Sequence, residues 1–281
     1  MPAALLVPTL DHVVVNVRDQ LDAAAERYRR LGFTLTPRGY HTLGSMNHLA
    51  IFGTEYLELI AAPAGETRRP EIVNGPMGLN GLVFGSEDAV ATHSAMTEAG
   101  VRVEPWEEFS RPVELADGPQ DAVFRTVRLT PGTVPAGRLY FCQHFTRGLV
   151  WRDEWRHHPN GVVGVAAAVI AAADPDDLGG LFRRMFGGEA VRTVPGGVSL
   201  TVGLSRFDVL SPEGVAALFG DAAPDGGGRA TYMAGLLLRT RSLAAVEAAL
   251  AAGEVAGTRQ DGGRIVVPAS AAFGAVLVFG E

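Results

Sequence analysis

The stretch Leu10–Phe33, LDHVVVNVRDQLDAAAERYRRLGF, decides how this chain is read. It opens as an apolar strand, passes the acidic residue Asp19, continues as an amphipathic helical segment and stops at Gly32, thirteen residues beyond Asp19. A carboxylate or hydroxyl caps the start of a helix, and a glycine takes the left-handed turn that ends it, so this spacing predicts a capped helix after a strand. The unit returns three times. NGLVFGSEDAVATHSAMTEAGV has Glu87 thirteen residues before Gly100, and GVAAAVIAAADPDDLGGLFRRMFGG has Asp174 thirteen before Gly187. YMAGLLLRTRSLAAVEAALAAGEV has Thr240 thirteen before Gly253. One capped helix is commonplace; four in a common register are an internal repeat.

Strand-like segments follow each helix. The first copy is followed by FTLTPRGYH, SMNHLAIFG and TEYLELIAA; the second by a longer insertion, then AVFRTVRLT and RLYFCQHF. The third is followed by EAVRTV, GVSLTVG and SRFDVLS, and the fourth by GRIVVPA and AAFGAVLVFG. Each unit therefore reads β-α-β-β-β, which predicts an α+β chain of two similar domains. TRGLVWRDEWRHHPNG, residues 146–161, reads as the connection, dividing a pair of modules over 1–150 from a second pair over 159–281. His157 and His158 within it are assigned a capping or loop role.

Composition narrows the classes. With 281 residues and 47% hydrophobic content the chain has ample material for packed cores. A formal net charge of −7 argues against a general nucleic-acid binder. No apolar run is long enough to span a bilayer, and the opening MPAALLVPTLDH lacks the pattern of a signal peptide, so a cytoplasmic protein is expected. The single cysteine, Cys142, rules out an internal disulfide framework and a cysteine-pair zinc site. All 24 basic residues are arginine, which removes lysine Schiff-base chemistry.

In TEYLELI, residues 54–60, alternation sends Leu57 and Leu59 to one face and Tyr56, Glu58 and Ile60 to the other. A carboxylate on a buried face is costly unless something pairs with it. Either that face is wet, with Glu58 at its rim, or Glu58 has a partner such as an arginine or a metal ion; in LDHVVVNV, Val13, Val15 and Val17 face the helices while Leu10, His12, Val14 and Asn16 face the other way.

Tandem βαβββ modules with a His on the first strand and a Glu on the last resemble the vicinal oxygen chelate superfamily, which includes glyoxalase I, extradiol dioxygenases and bleomycin resistance proteins. LDHVVVNVRD and YLELI look like its glyoxalase-like branch, and FCQH followed by the Trp-rich connector adds to the likeness. The motifs cover the first half of the chain; the second half shares only the repeat. The resemblance implies four βαβββ modules paired into two cupped mixed sheets, with a divalent metal ion inside a cup held by residues of the first and fourth strands. Zinc, nickel, manganese, iron and cobalt are all open.

The resemblance implies His12, Glu58 and His144 as metal ligands. Ungapped alignment of GTEYLELI with GRLYFCQH puts Cys142 opposite Glu58, so His144 reaches the metal through a twist or bulge, or else binds substrate. His48 in SMNHLAIF is expected to line the cup as a fourth ligand, an acid/base group or a neutral wall. Tyr56, Arg128, Tyr140 and Asn80 are assigned to substrate binding, Arg128 by gripping a substrate carboxylate. The repeat register puts Asn80, Ala167 and Met233 where the first module has His12, so the second half is expected to lack a metal site.

These residues imply a metal-dependent lyase or isomerase in the N-terminal cup, chelating adjacent oxygens of a small organic substrate with Glu58 or His48 moving a proton. Two alternatives stand beside it: a metal-free protein that sequesters a small molecule, and an extradiol-type dioxygenase. Monomer and homodimer are both compatible with four modules in one chain.

Overall fold

The computed structural model describes residues 6–115, 118–259 and 262–281; residues 1–5 of the opening segment lie outside the described residues. The first sheet is built from β1 (Leu10–Asn16), β2 (Gly39–Tyr40), β3 (Met46–Ile51), β4 (Tyr56–Ala61), β5 (Gly78–Gly85), β6 (Glu107–Val113), β7 (Gln120–Arg128) and β8 (Arg138–His144). Helices α1 (Leu21–Arg30), α2 (Pro70–Val73) and α3 (Ala89–Glu98) are interleaved with these strands. The second sheet contains β9 (Val162–Ala172), β10 (Val191–Val194), β11 (Gly197–Val202), β12 (Ser205–Leu210), β13 (Thr231–Thr240), β14 (Thr258–Arg259), β15 (Ile265–Val267) and β16 (Val276–Gly280). Its helices are α4 (Pro175–Phe186), α5 (Pro212–Phe219) and α6 (Leu243–Ala252).

Among the described residues both sheets have eight strands and the same order, β2-β3-β4-β1-β5-β8-β7-β6 and β10-β11-β12-β9-β13-β16-β15-β14. In each, two modules meet where their first strands pair antiparallel, β1 with β5 and β9 with β13, and each first strand runs parallel to its own last strand. The α+β architecture of paired βαβββ modules is thus present. β6 falls inside the stretch that reads as an insertion.

The helix ends depart from the common register in detail. Asp174 caps α4 by accepting from the Asp176 N–H at 3.0 Å, but α3 is capped by Asp88 and α6 by Ser242, and α1 has no side-chain cap. Gly32, Gly100 and Gly187 have positive φ, whereas Gly253 has φ −84° and the left-handed residue is Glu254. Gly253 is needed for another reason: a methyl there would land on the Arg30 carbonyl of α1.

Three apolar clusters form among the described residues. The largest takes the helix-facing residues of both sheets together, including Val13, Val15, Leu57 and Leu59 from the first and Phe207, Val209 and Leu277 from the second. Phe84 touches Phe186 and Phe207, with ring centroids 4.8 and 5.3 Å apart. A second cluster lines the cup of the first sheet, joined by Val150, Trp151 and Trp155 of the connector. The third fills the cup of the second sheet with small side chains such as Ala167, Ala171 and Ala234, plugged by Val215 and Phe219 of α5. His158 fastens the connector to the first half, its Nδ1 accepting from the Thr34 N–H at 3.0 Å and its Nε2 donating to the Ile51 carbonyl at 2.9 Å. No helix of the described residues is long and apolar enough to cross a membrane.

Candidate functional site

The parallel pairing of β1 and β4 sets His12 beside Tyr56 and Val14 beside Glu58, all on the inner face of the first sheet. His12 Nε2 lies 3.7 Å from Glu58 Oε2, with both side chains almost wholly buried. They meet in a cavity of about 570 Å³ whose walls include Tyr56, Phe109, Phe124 and Tyr140.

Each member of the pair is held from behind. Strand alternation alone would send Asp11 to the far side of the sheet, but the pairing of β1 with β5 slips between Leu10 and His12, and the slip puts Asp11 next to the imidazole. Asp11 Oδ1 is 2.6 Å from His12 Nδ1 and 3.1 Å from His144 Nε2. Burial alone would raise the Asp11 pKa, but His144 and His12 beside it hold the carboxyl well below the usual carboxylate range. Asp11 takes the Nδ1–H of His12, and Nε2 faces the cavity with the Tyr140 hydroxyl 3.2 Å away. Burial keeps the Tyr140 phenol protonated. Tyr56 stacks flat on the His12 ring, with centroids 4.4 Å apart.

Glu58 is fixed by Asn47, whose amide donates to Oε1 at 2.6 Å and leaves Oε2 facing His12. Burial works to raise the Glu58 pKa, yet His12 and His41 outweigh it and the acid ionises below its ordinary range. His41 itself is pushed down to about 4, chiefly by burial against the pull of Glu58. Neither Asp11 nor Asn47 stands out from the sequence. The first needs the strand slip to turn inward, and the second needs the register of β3.

That register moves His48. Antiparallel pairing puts Leu49 across from Glu58 and His48 across from Leu59, so Leu49 enters the cup and His48 faces the helices. There its Nδ1 donates to the Thr36 carbonyl at 2.7 Å. His48 is therefore not at the cup, either as ligand or as acid/base group. Asn80 is the residue passed over where the β1–β5 pairing slips between Val14 and Val15, and its amide points to the Pro76 carbonyl rather than into the cavity. Arg128 lines the cavity but is in an ion pair with Glu107. Tyr56 and Tyr140 line it as expected.

His144 does not join His12 and Glu58, because Asp11 stands between the two imidazoles. Among the described residues, the one group of three His, Cys, Asp or Glu donors within 4.8 Å of one another is Asp11, Cys142 and His144. Its donors are poorly suited to an ion: Asp11 Oδ1 serves both imidazoles, and burial pushes the Cys142 thiol well above its ordinary pKa. The His12–Glu58 pair fits a divalent ion better. One imidazole nitrogen and one ionised carboxylate oxygen converge, and each is oriented by a buried hydrogen bond of the kind that supports metal ligands.

The second sheet keeps a trace of the arrangement. Its register puts Ala167 beside Arg206 and Val169 beside Asp208, so Asp208 stands where the first sheet has Glu58. Ala167 replaces the imidazole, and Asp208 is neutralised by Arg206 at 2.8 Å and accepts from the Ser199 hydroxyl at 2.6 Å.

Comparison with known proteins agrees with this anatomy. A family model described as a glyoxalase-like domain matches residues 10–186. A hypothetical protein from Staphylococcus aureus superposes with a TM-score of 0.67 at 11% identity, covering 98% of this chain and 99% of that one. A mutant of 4-hydroxymandelate synthase from Streptomyces coelicolor gives a TM-score of 0.57 at 14% identity, covering 99% of this chain and 92% of the other. A xylose isomerase-like TIM barrel/4-hydroxyphenylpyruvate dioxygenase fusion protein gives 0.57 at 14% identity, over 99% of this chain and 50% of that one. At these identities the likeness is one of fold. No curated protein matches the chain significantly.

Proposed function

Because the chain belongs to the glyoxalase-like domain family, we propose that its N-terminal cup acts on a small organic molecule by metal-assisted proton transfer, as a lyase or isomerase does. The observation that carries this reading is the convergence of His12 Nε2 and Glu58 Oε2, 3.7 Å apart in the cavity, each fixed from behind by Asp11 or Asn47. His12 and Glu58 would hold a divalent ion, which when bound supplies Lewis-acid polarisation of adjacent substrate oxygens. Glu58, ionised at neutral pH, is the carboxylate placed to take up a proton from substrate, and Asn47 keeps its orientation. The Tyr140 hydroxyl, kept protonated by burial, is placed to donate to a substrate oxygen beside His12. Tyr56 locks the imidazole plane by stacking. An extradiol-type reaction is a weaker fit, since His144 spends Nε2 on Asp11 and does not complete a two-imidazole set with Glu58.

A metal-free sequestering protein is the second reading, favoured by the Tyr140 hydroxyl standing 3.2 Å from His12 Nε2, on the side an ion would occupy. Elemental analysis after reconstitution with first-row divalent ions separates the two. Near-stoichiometric metal in the wild type, lost in His12→Ala and Glu58→Gln, is the expected result. A folded wild type that retains none would leave the sequestering protein as the better description.

A further inference from the structure

The cavity around His12 and Glu58 carries five arginines, Arg68, Arg69, Arg111, Arg128 and Arg138, and they are not equivalent. Arg68 is paired with Glu66, Arg69 with Glu71 and Arg128 with Glu107. Arg111 is only 4% exposed, and its Nη2 is buried with no hydrogen-bond partner among the described residues. Arg138 is half-buried, yet both its Nε and its Nη2 are buried with no hydrogen-bond partner among the described residues. The two reach the cavity from different strands: Arg111 from the middle of β6, across from Ala122, and Arg138 from the start of β8, beside Gly81 of β5.

A guanidinium does not shed its proton in a protein, so burial without a partner leaves uncompensated charge and unused donors. Burial indeed works against the charged form at both sites, with Glu58 a lesser influence in the other direction. Folding alone gives no reason to bury two such groups in one cavity while three neighbouring arginines are neutralised. A planar anion gives one, because it accepts paired N–H bonds from a guanidinium fork. The walls between them are largely apolar and aromatic, including Leu49, Ile60, Phe109, Phe124 and Val134.

We propose that Arg111 and Arg138 form the anion-binding end of the cup and take the carboxylate of an aromatic or partly apolar organic acid. This rests on the reading of the cup as a small-molecule site and specifies its substrate class. The rest of the acid lies along the apolar walls, with its reacting oxygens toward His12 and Glu58. Arg128, with Glu107 already beside it, is a bystander.

Calorimetric titration of the metal-stripped full chain with benzoate, and with benzamide as its uncharged counterpart, tests this at constant ionic strength. Benzoate is expected to bind roughly tenfold or more tightly than benzamide, a preference erased in Arg111→Met and Arg138→Met and kept in Arg128→Met. Ligand-free Arg111→Met is expected to melt at or above the wild-type temperature, because an unpartnered buried charge has been removed. Equal binding of benzoate and benzamide, an equal loss in Arg128→Met, or a lower melting temperature of Arg111→Met would each overturn the assignment. Since the titration uses metal-stripped protein, a wild type that takes up metal yet ignores benzoate rejects the anion end and leaves the metal reading standing.

Discussion

Asp11 precedes His12 directly, and in a regular strand that adjacency would separate them onto opposite faces. The slip in the β1–β5 pairing reverses this and makes Asp11 the group that fixes the imidazole tautomer. If His12 is a ligand, removing the Asp11 charge weakens metal binding without removing a ligand. Asp11→Asn is expected to lower metal affinity by about 10–100-fold, measured by competition with a chelating dye. Tyr140→Phe is expected to retain the metal, since it only removes the hydroxyl beside Nε2. If Tyr140→Phe lost metal while Asp11→Asn kept it, the phenol would be the ligand and the carboxylate a structural partner of His144. The sequence exposed His12 and Glu58 because a lone imidazole and a lone carboxylate stand out in apolar strands. It concealed Asp11, Asn47, Arg111 and Arg138, whose positions depend on a strand slip, a register and a strand hidden in an insertion.

Among the elements, β3 shows why alternation fails where it does. Five of its six residues are buried, so neither face is marked as solvent and the pattern MNHLAI does not say which side is the cup. The repeat itself was legible because apolar strands, helices and glycines recur together, while the chemistry at each helix end varied. Gly253 illustrates the difference: its backbone is right-handed, and close contact with α1 is what demands glycine. Gly253→Ala should destabilise the protein by about 2 kcal/mol through overpacking against the Arg30 carbonyl, read from denaturant midpoints; an unchanged midpoint would show that α1 and α6 are not held that closely. The connector makes a pH-dependent fastening. Burial depresses the His158 pKa, and Nδ1 must stay unprotonated to accept from the Thr34 N–H. The unfolded chain therefore binds the proton first, so this contribution is intact above about pH 6.5 and is lost as the pH falls toward the lowered native value. His41 and His48, also depressed by burial, act in the same direction. Melting temperature is expected to fall between pH 7.5 and 5, less steeply in His158→Gln; an identical slope would remove His158 from the account.

At the scale of the whole molecule, the two sheets repeat one topology but do not each close their own core. The largest apolar cluster draws on both, and polar contacts cross between them at several points. Glu55, 3% exposed, accepts from the Val165 N–H at 2.9 Å and lies 3.3 Å from Arg239. Tyr28 donates to the Ala272 carbonyl at 3.2 Å, and Arg30 to that of Gly253 at 2.6 Å. The second sheet, its cup filled by alanines and α5, thus serves as the surface against which the first sheet buries its helix-facing residues. Two pairs of modules divided near the connector in sequence are therefore expected to unfold as one cooperative unit. Calorimetry should show a single unfolding transition, and a fragment of residues 1–150 should expose the shared cluster and fail to give that transition on its own. Glu55→Ala should cost about 3 kcal/mol, because it strands the buried Val165 N–H and releases Arg239. Two separate transitions, with Glu55→Ala shifting only one of them, would mean that the halves fold independently and that the contacts between them add little.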